Sequence, residues 1–394
     1  MSLLIKNGRI FIGGKLLVKN ILTEDSIISS ITSGIPQADE IINAGGKIVI
    51  PGVIDPHVHF REPGMIQKED FLSGSTAAAS GGVTCFLDMP NNRPPTLTKK
   101  DLEMKRVFAR KSVVNFGFHF GSSTGNIGEI RNARCIASVK IFMNASTGNM
   151  LIENEETIRK IMESSKMNTI HAEGKDAERA IKIARSAGKR FYLCHVSDAK
   201  EIEKVRENEK RNVFAEVTPH HLFLTKKDQN RMVKMKPPLK GENDRKALWE
   251  ALRDGTIDTI GSDHAPHRPE EKMSSELFGV PGVETRLPLM LDAVNRGLLN
   301  LGRAVQTMCE NPAMIFKIKN KGFIKEGKDA DLTIIDMKLK KRVRNDSLLT
   351  KCGWSPFDGF ELKGWPTHTI VNGRVVYENG SVAEKDKGTE VSYD

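Results

Sequence analysis

The most informative residues of this 394-residue chain are its histidines. In Asp55-Pro56-His57-Val58-His59 two imidazoles stand two residues apart, and alternate side chains of a strand point the same way, so both can reach one metal ion. A lone histidine is ordinarily a satisfied core residue, whereas an HxH at a strand end is a strong signal for a ligand pair. His171, in Ile170-His171-Ala172-Glu173, and His195, in Leu193-Cys194-His195-Val196, each close an apolar run where an imidazole without a partner is costly to bury. Either alone could simply bond a backbone carbonyl. Beside an HxH, they supply donors for a second divalent ion.

Lys140 interrupts Ser138-Val139-Lys140-Ile141-Phe142 and falls on the inward face of that strand if its neighbours face outward. It is either half of a buried ion pair or an amine that burial and metal charge keep neutral, open to carboxylation by CO₂ into an anionic, two-oxygen bridge. Asp263, in Gly261-Ser262-Asp263-His264-Ala265-Pro266-His267, is either a helix N-cap or a carboxylate that exchanges a proton with a metal-activated water. Arg61 lies just beyond the HxH. Its guanidinium fork matches a carboxylate, an exposed surface arginine being the plain alternative.

These residues need a scaffold that brings strand ends together. From residue 48 to about 321, short β-branched runs alternate with helical stretches, and eight strands are expected at 48–54, 83–89, 113–119, 136–142, 168–172, 190–195, 213–217 and 257–262. Eight βα units predict a (β/α)₈ barrel, an α/β fold whose catalytic face is the carboxyl end of its strands. Seven of the ten histidines (His57, His59, His171, His195, His220, His221 and His264) sit at or just after such an end, and His267 follows closely. The flanks carry short strands separated by Gly or Asn-Gly turns, and neither looks able to fold alone. We therefore expect residues 51–321 to form the barrel, and residues 1–50 and 322–394 to form one small β-sandwich built from both termini.

Composition narrows the class. Apolar residues make up 39% and charged residues 28%, which suits a globular enzyme and not a disordered or collagenous chain. No run approaches the ~20 apolar residues of a membrane helix, and the start lacks a signal-peptide pattern, so a cytoplasmic setting without membrane contact is expected. Five dispersed cysteines without a CxxC pair indicate neither a disulfide framework nor a thiolate zinc knuckle. The net charge of +10 invites a nucleic-acid reading, but only 338–344 is densely basic, stacking aromatics are absent there, and a solvated loop is expected. A positive field still helps to collect a small anionic substrate.

Two long motifs carry a resemblance. Residues 55–64, Asp-Pro-His-Val-His-Phe-Arg-Glu-Pro-Gly, and 261–267 followed by Lys272 are similar to the DxHVHxREPG and GSDHAPHxxxxK signatures of dihydroorotases in the cyclic amidohydrolase superfamily. Met89-Pro90-Asn91-Asn92, His171-Ala172-Glu173, Thr218-Pro219-His220-His221-Leu222 and, in the tail, Gly327-Lys328-Asp329-Ala330-Asp331-Leu332 also match in order.

The resemblance implies reversible cyclisation of N-carbamoyl-L-aspartate to L-dihydroorotate, with loss of water, in pyrimidine biosynthesis. It makes His57, His59 and Asp263 ligands of one divalent ion, with Asp263 also the general acid/base, and His171 and His195 ligands of a second. Lys140 is implied to be the N6-carboxylated bridge, and zinc is the expected metal. Arg61, Asn91 and His267 are implied to hold the substrate carboxylate, with the backbone at Pro281 and Gly282 on the ring amide. The segment 144–148 falls where the family has a mobile loop, and a homodimer is expected. Two ions ~3.5–4 Å apart can hold a bridging hydroxide while one polarises the amide carbonyl. Allantoinase and dihydropyrimidinase or hydantoinase share this centre but act on ring amides of different charge. A non-catalytic scaffold would show decayed ligand positions, and here all are filled.

Overall fold

The computed structural model describes residues 1–145, 150–208, 212–383 and 387–394. Eight parallel strands, Val53–Val58, Val83–Asp88, Asn115–Gly121, Ser138–Phe142, Met167–His171, Arg190–Leu193, Val213–Val217 and Thr259–Ile260, are hydrogen-bonded in sequence order. They are almost wholly buried, as parallel strands covered by helices must be. The covering helices present apolar side chains at i, i+3 and i+4 spacing. Glu155–Glu163 buries Ile158, Ile161 and Met162, and Lys175–Ala187 buries Ala177, Ala180, Ile181 and Ala184. Asp70, Thr98, Asn154 and Asp198 cap their helices through side-chain oxygens that accept first-turn N–H groups.

The barrel closes through a seam rather than a full ladder. Between the first and eighth strands His59 N–H donates to the His264 carbonyl (2.9 Å). The buried Arg286 guanidinium donates to both the Ile54 carbonyl (3.1 Å) and the Ile260 carbonyl (2.5 Å). Asp55 Oδ1 accepts the Ser262 N–H (3.1 Å), and its other oxygen lies 3.6 Å from Arg286 Nε. The aspartate that opens the first motif therefore fastens the eighth strand.

Both termini contribute to a separate nine-stranded mixed sheet. Ser2–Ile12, Lys15–Glu24, Ile27–Thr32, Glu40–Asn43 and Ile48–Pro51 come from one end, and Leu332–Arg342, Glu361–Val371, Arg374–Glu378 and Ser381–Val382 from the other. Ile48–Pro51 joins the halves, pairing with both Ser2–Ile12 and Leu332–Arg342. Leu3, Ile10, Ile21, Val49, Leu332, Ile334 and Ile370 form its core.

Two expectations need correction. The run 48–54 is two strands in two sheets, divided at Gly52, where a Cβ would collide with Thr84 Oγ1 and the Asp331 backbone. The basic run at 338–344 is largely strand, with Lys340 to Arg342 paired to residues 361–363. The chain's last residues turn back to the barrel, where Glu390 bridges Phe116 and Tyr393 bridges Ile318. Among the described residues no helix is long and apolar enough to cross a membrane.

Candidate active site

His57 lies within the first barrel strand and His59 directly after it, and both rings turn toward Asp263, which follows the eighth strand. His57 Nδ1 meets Glu216 Oε1 at 2.8 Å, and His59 Nδ1 meets Asn91 Oδ1 at 2.7 Å. Carboxylate and amide oxygens only accept, so each Nδ1 carries the proton and each Nε2 is left with a lone pair. Those lone pairs face Asp263 Oδ1 at 3.2 and 3.1 Å. Three electron-rich atoms so close in a buried site fit a divalent cation between them, and the Nδ1–H partners are the kind that orient metal-binding imidazoles.

A second donor set adjoins it. His171 Nδ1 and His195 Nε2 are 2.9 Å apart, His171 Nε2 has the Glu173 carboxylate 3.5 Å away, and His195 Nδ1 is buried without a hydrogen bond. Donor atoms of His57, Cys194 and His195 lie within 4.8 Å of one another. Burial lowers the basicity of all four imidazoles, which keeps them neutral and able to ligate. The same burial pushes the Cys194 thiol up to about 12, so it is not a thiolate at neutral pH.

Lys140 points inward from the fourth strand and is 1% exposed. Its Nζ donates to Cys194 Sγ (3.0 Å) and lies 5.0 Å from the Phe142 ring centroid. Among the described residues it makes no ion pair, so the buried-pair reading of this lysine has no carboxylate to stand on.

Glu216 escaped sequence reasoning. Fourth in Val-Phe-Ala-Glu-Val, it reads as a solvent-facing charge, yet it is fully buried under the site. It accepts from His57, from the His195 backbone N–H (3.0 Å) and from the Tyr192 hydroxyl (2.8 Å). Burial pushes its carboxyl up to about 8 against the opposing pull of the Tyr192 hydrogen bond. The signal available in sequence was an acidic residue in an otherwise apolar barrel strand.

The backbone is strained where side chains must be aimed. Arg61, His195 and Asp263 have φ of 64°, 38° and 46°, in the left-handed region that costs a non-glycine residue about 1–3 kcal/mol. Three of the site's residues share this departure.

Arg61, Asn91, Asp263, His59, Lys236, Ala265, Phe278 and Gly279 line one narrow cleft of about 30 Å³. Arg61 is 2% exposed, and its Nε donates to the Pro266 carbonyl (3.2 Å). His267 borders it, with Nδ1 accepting from Lys68 Nζ (2.9 Å) and Nε2–H donating to the Phe278 carbonyl (3.0 Å). Pro281 and Gly282 line a neighbouring crevice with His264, whose Nδ1 accepts the Gly282 N–H (3.1 Å). Phe278 and Gly279 stand in the cleft in their stead. His221 is held between Thr218 Oγ1 and the Pro237 carbonyl, a structural role. In the expected mobile loop, Asn144 and Ala145 are described and 146–148 lie outside the described residues. A wider cleft of about 750 Å³ lies on the terminal sheet and contains none of these ligands.

Comparison with known proteins agrees with this chemistry. Residues 48–376 match the amidohydrolase family. Dihydroorotase from Pyrococcus abyssi is 37% identical, covering 98% of each chain, and that from Methanosarcina acetivorans is 37% identical over 97% of this chain and 93% of its own. Among solved structures, L-hydantoinase (dihydropyrimidinase) from Arthrobacter aurescens superposes with a TM-score of 0.94 at 30% identity, covering 99% of each chain. With the barrel, the donor set and full-length relatives in agreement, this chain belongs to the amidohydrolase family.

Proposed function

We propose that this protein is a dihydroorotase, closing N-carbamoyl-L-aspartate to L-dihydroorotate and reopening the ring by hydrolysis. The observation that carries the reading is Arg61. Burial lowers its guanidinium to about 10, so it stays cationic at neutral pH, and among the described residues it makes no ion pair. A buried cation beside the reaction centre, which Asp263 and Asp88 act on only from beyond ion-pair distance, is completed by an anionic substrate. Asn91 and His267 flank the same cleft and assist in holding that carboxylate. Full-length relatives named dihydroorotase support the reading, and the hydantoinase likeness supports the shared ring-amide chemistry.

His57, His59 and Asp263 would hold one divalent ion, zinc by expectation, and His171 and His195 a second, with Lys140 as the carboxylated bridge. When bound, such ions supply Lewis-acid polarisation of the carbonyl and an acidified water. In closure the ureido nitrogen attacks the side-chain carboxyl carbon of N-carbamoyl-L-aspartate, forming the ring C–N bond. The former carboxylate oxygen leaves as water, taking one proton from protonated Asp263 and the other from the ureido nitrogen, which loses it on forming the C–N bond. In hydrolysis Asp263 takes a proton from water and returns it to the departing amide nitrogen. Asn91 holds His59, and Glu216 holds His57, so that neither ring rotates while Asp263 changes charge.

The test compares L-dihydroorotate with dihydrouracil, the same ring without the carboxylate. The native enzyme should strongly prefer L-dihydroorotate. Arg61→Met should lower kcat/KM for it by ~10- to 150-fold, the scale of a charge-assisted hydrogen bond, with little effect on dihydrouracil. Faster turnover of dihydrouracil or hydantoin by the native protein would overturn the substrate and leave the fold and donor set standing.

A further inference from the structure

The carboxylate-binding wall of the cleft is held from outside the barrel. Between strands Leu332–Arg342 and Glu361–Val371 the chain leaves the terminal sheet as a strap, residues 343–360, that crosses to the catalytic end of the barrel. Two carboxylates enclosed beneath it clip it down. Glu284 accepts the Leu349 and Thr350 N–H groups (3.0 and 2.9 Å) and the Ser80 hydroxyl (3.0 Å). Glu69 accepts the Lys351 N–H (3.2 Å) and the Thr350 hydroxyl. Beyond the clips, the Trp354 indole N–H donates to the His267 carbonyl (2.8 Å).

The indole also bears on the next piece of the wall. Lys272 Nζ lies 5.5 Å from the Trp354 ring centroid and donates to the Gly279 carbonyl (2.6 Å). Gly279 lines the cleft, and His267 bonds the carbonyl of Phe278 beside it. Trp354 therefore touches both His267, which holds the Phe278 carbonyl, and the lysine that fixes Gly279, without itself lining the cleft. A satisfied indole inserted under a binding wall restricts where that wall can sit, and rigid support of this kind acts on binding geometry.

We infer that Trp354, carried on the 343–360 strap, is a positioning residue for substrate specificity: it sets His267, Phe278 and Gly279 in register with Arg61 so that the substrate carboxylate is recognised. This rests on the dihydroorotase reading and adds that the terminal sheet tunes the site through one side chain.

Trp354→Phe keeps an aromatic ring against Lys272 and removes the N–H. Thr350→Val removes the hydroxyl donated to Glu69 and serves equally if the first variant folds poorly. Each should raise KM for L-dihydroorotate by about 3- to 10-fold, the scale of one lost hydrogen bond, with kcat within about twofold. Turnover of dihydrouracil and metal content should not move. An unchanged KM in the folded variants would overturn the inference, as would a parallel loss on both substrates, which marks general damage. If the native enzyme shows no preference for L-dihydroorotate, the functional reading fails first. If it does and the variants keep the native KM, only the strap's role is refuted.

Discussion

Glu216→Gln isolates a single charge beneath the site. The His57 Nδ1–H and the His195 N–H both end on Oε1, and only the Tyr192 hydroxyl ends on Oε2. A glutamine with its carbonyl at Oε1 keeps both N–H bonds. Its amide can face the Tyr192 oxygen because that hydroxyl can turn its proton to Thr259 Oγ1, 2.6 Å away. Above pH 8, where the native Glu216 carboxyl is ionised, the geometry survives and the negative charge goes. Charge-assisted hydrogen bonds contribute ~1.5–3 kcal/mol against ~0.5–1.5 for neutral ones, so the bond that makes His57 a better donor weakens by about 1–1.5 kcal/mol. At 1.36 kcal/mol per decade that is a ~5- to 13-fold loss of metal affinity. Glu216→Ala strands three donors and should cost more, toward the ~100-fold end of orienting-partner effects. Competition against a chelator of known affinity at pH 9, above the value of about 8 to which burial raises the Glu216 carboxyl, reads both variants, with kcat/KM measured at saturating metal as the companion. Native affinity in Glu216→Gln, or equal losses in Gln and Ala, would refute the claim that charge on Glu216 strengthens His57 as a ligand.

Asp263→Asn should fold and still show ~100-fold or greater loss of turnover, because an amide cannot shuttle the proton; full activity would reduce Asp263 to a ligand or cap. Lys140→Ala should lose most bound metal by elemental analysis, and retention of two ions with normal turnover would remove the bridge. Glu284 gives a pH test. Burial raises its carboxyl from 4.5 to about 7, so between those values the folded state binds more protons than the unfolded state and stability falls as pH rises through the window. Urea denaturation at pH 5 and pH 8 should show that decline in the native protein and a flatter profile in Glu284→Gln.

What the sequence revealed and what it hid follow from one distinction. His57, His59, His171 and His195 were legible because strand alternation and position at strand ends are local properties. Lys140 was legible because a lysine amid valine and isoleucine conflicts with its surroundings. Glu216 presents the same conflict, but one carboxylate in a strand has a harmless surface reading, and its burial depends on which face the barrel turns inward. The break at Gly52 was hidden because 48–54 is uniformly apolar, and only the approach of Thr84 and Asp331, distant in sequence, forbids a side chain there. The strap was hidden for the opposite reason, since its polar residues look solvated until Glu69 and Glu284 are placed beneath it.

The seam in the barrel has a mechanical consequence. His57 and His59 stand on one side of the joint between first and last strands and Asp263 on the other, while the joint itself is tied by Arg286, Asp55, the Ser262 hydroxyl on the His57 carbonyl and one backbone contact. A cation gripped by all three would act as a rivet across the joint where the hoop is thinnest. Amide protons of Val53–Val58 and Thr259–Ile260 should then exchange with deuterium more slowly once the metal is loaded, and those of the opposite wall, Ser138–Phe142, should change less. The same atoms that prepare the reaction would set how easily the barrel springs open.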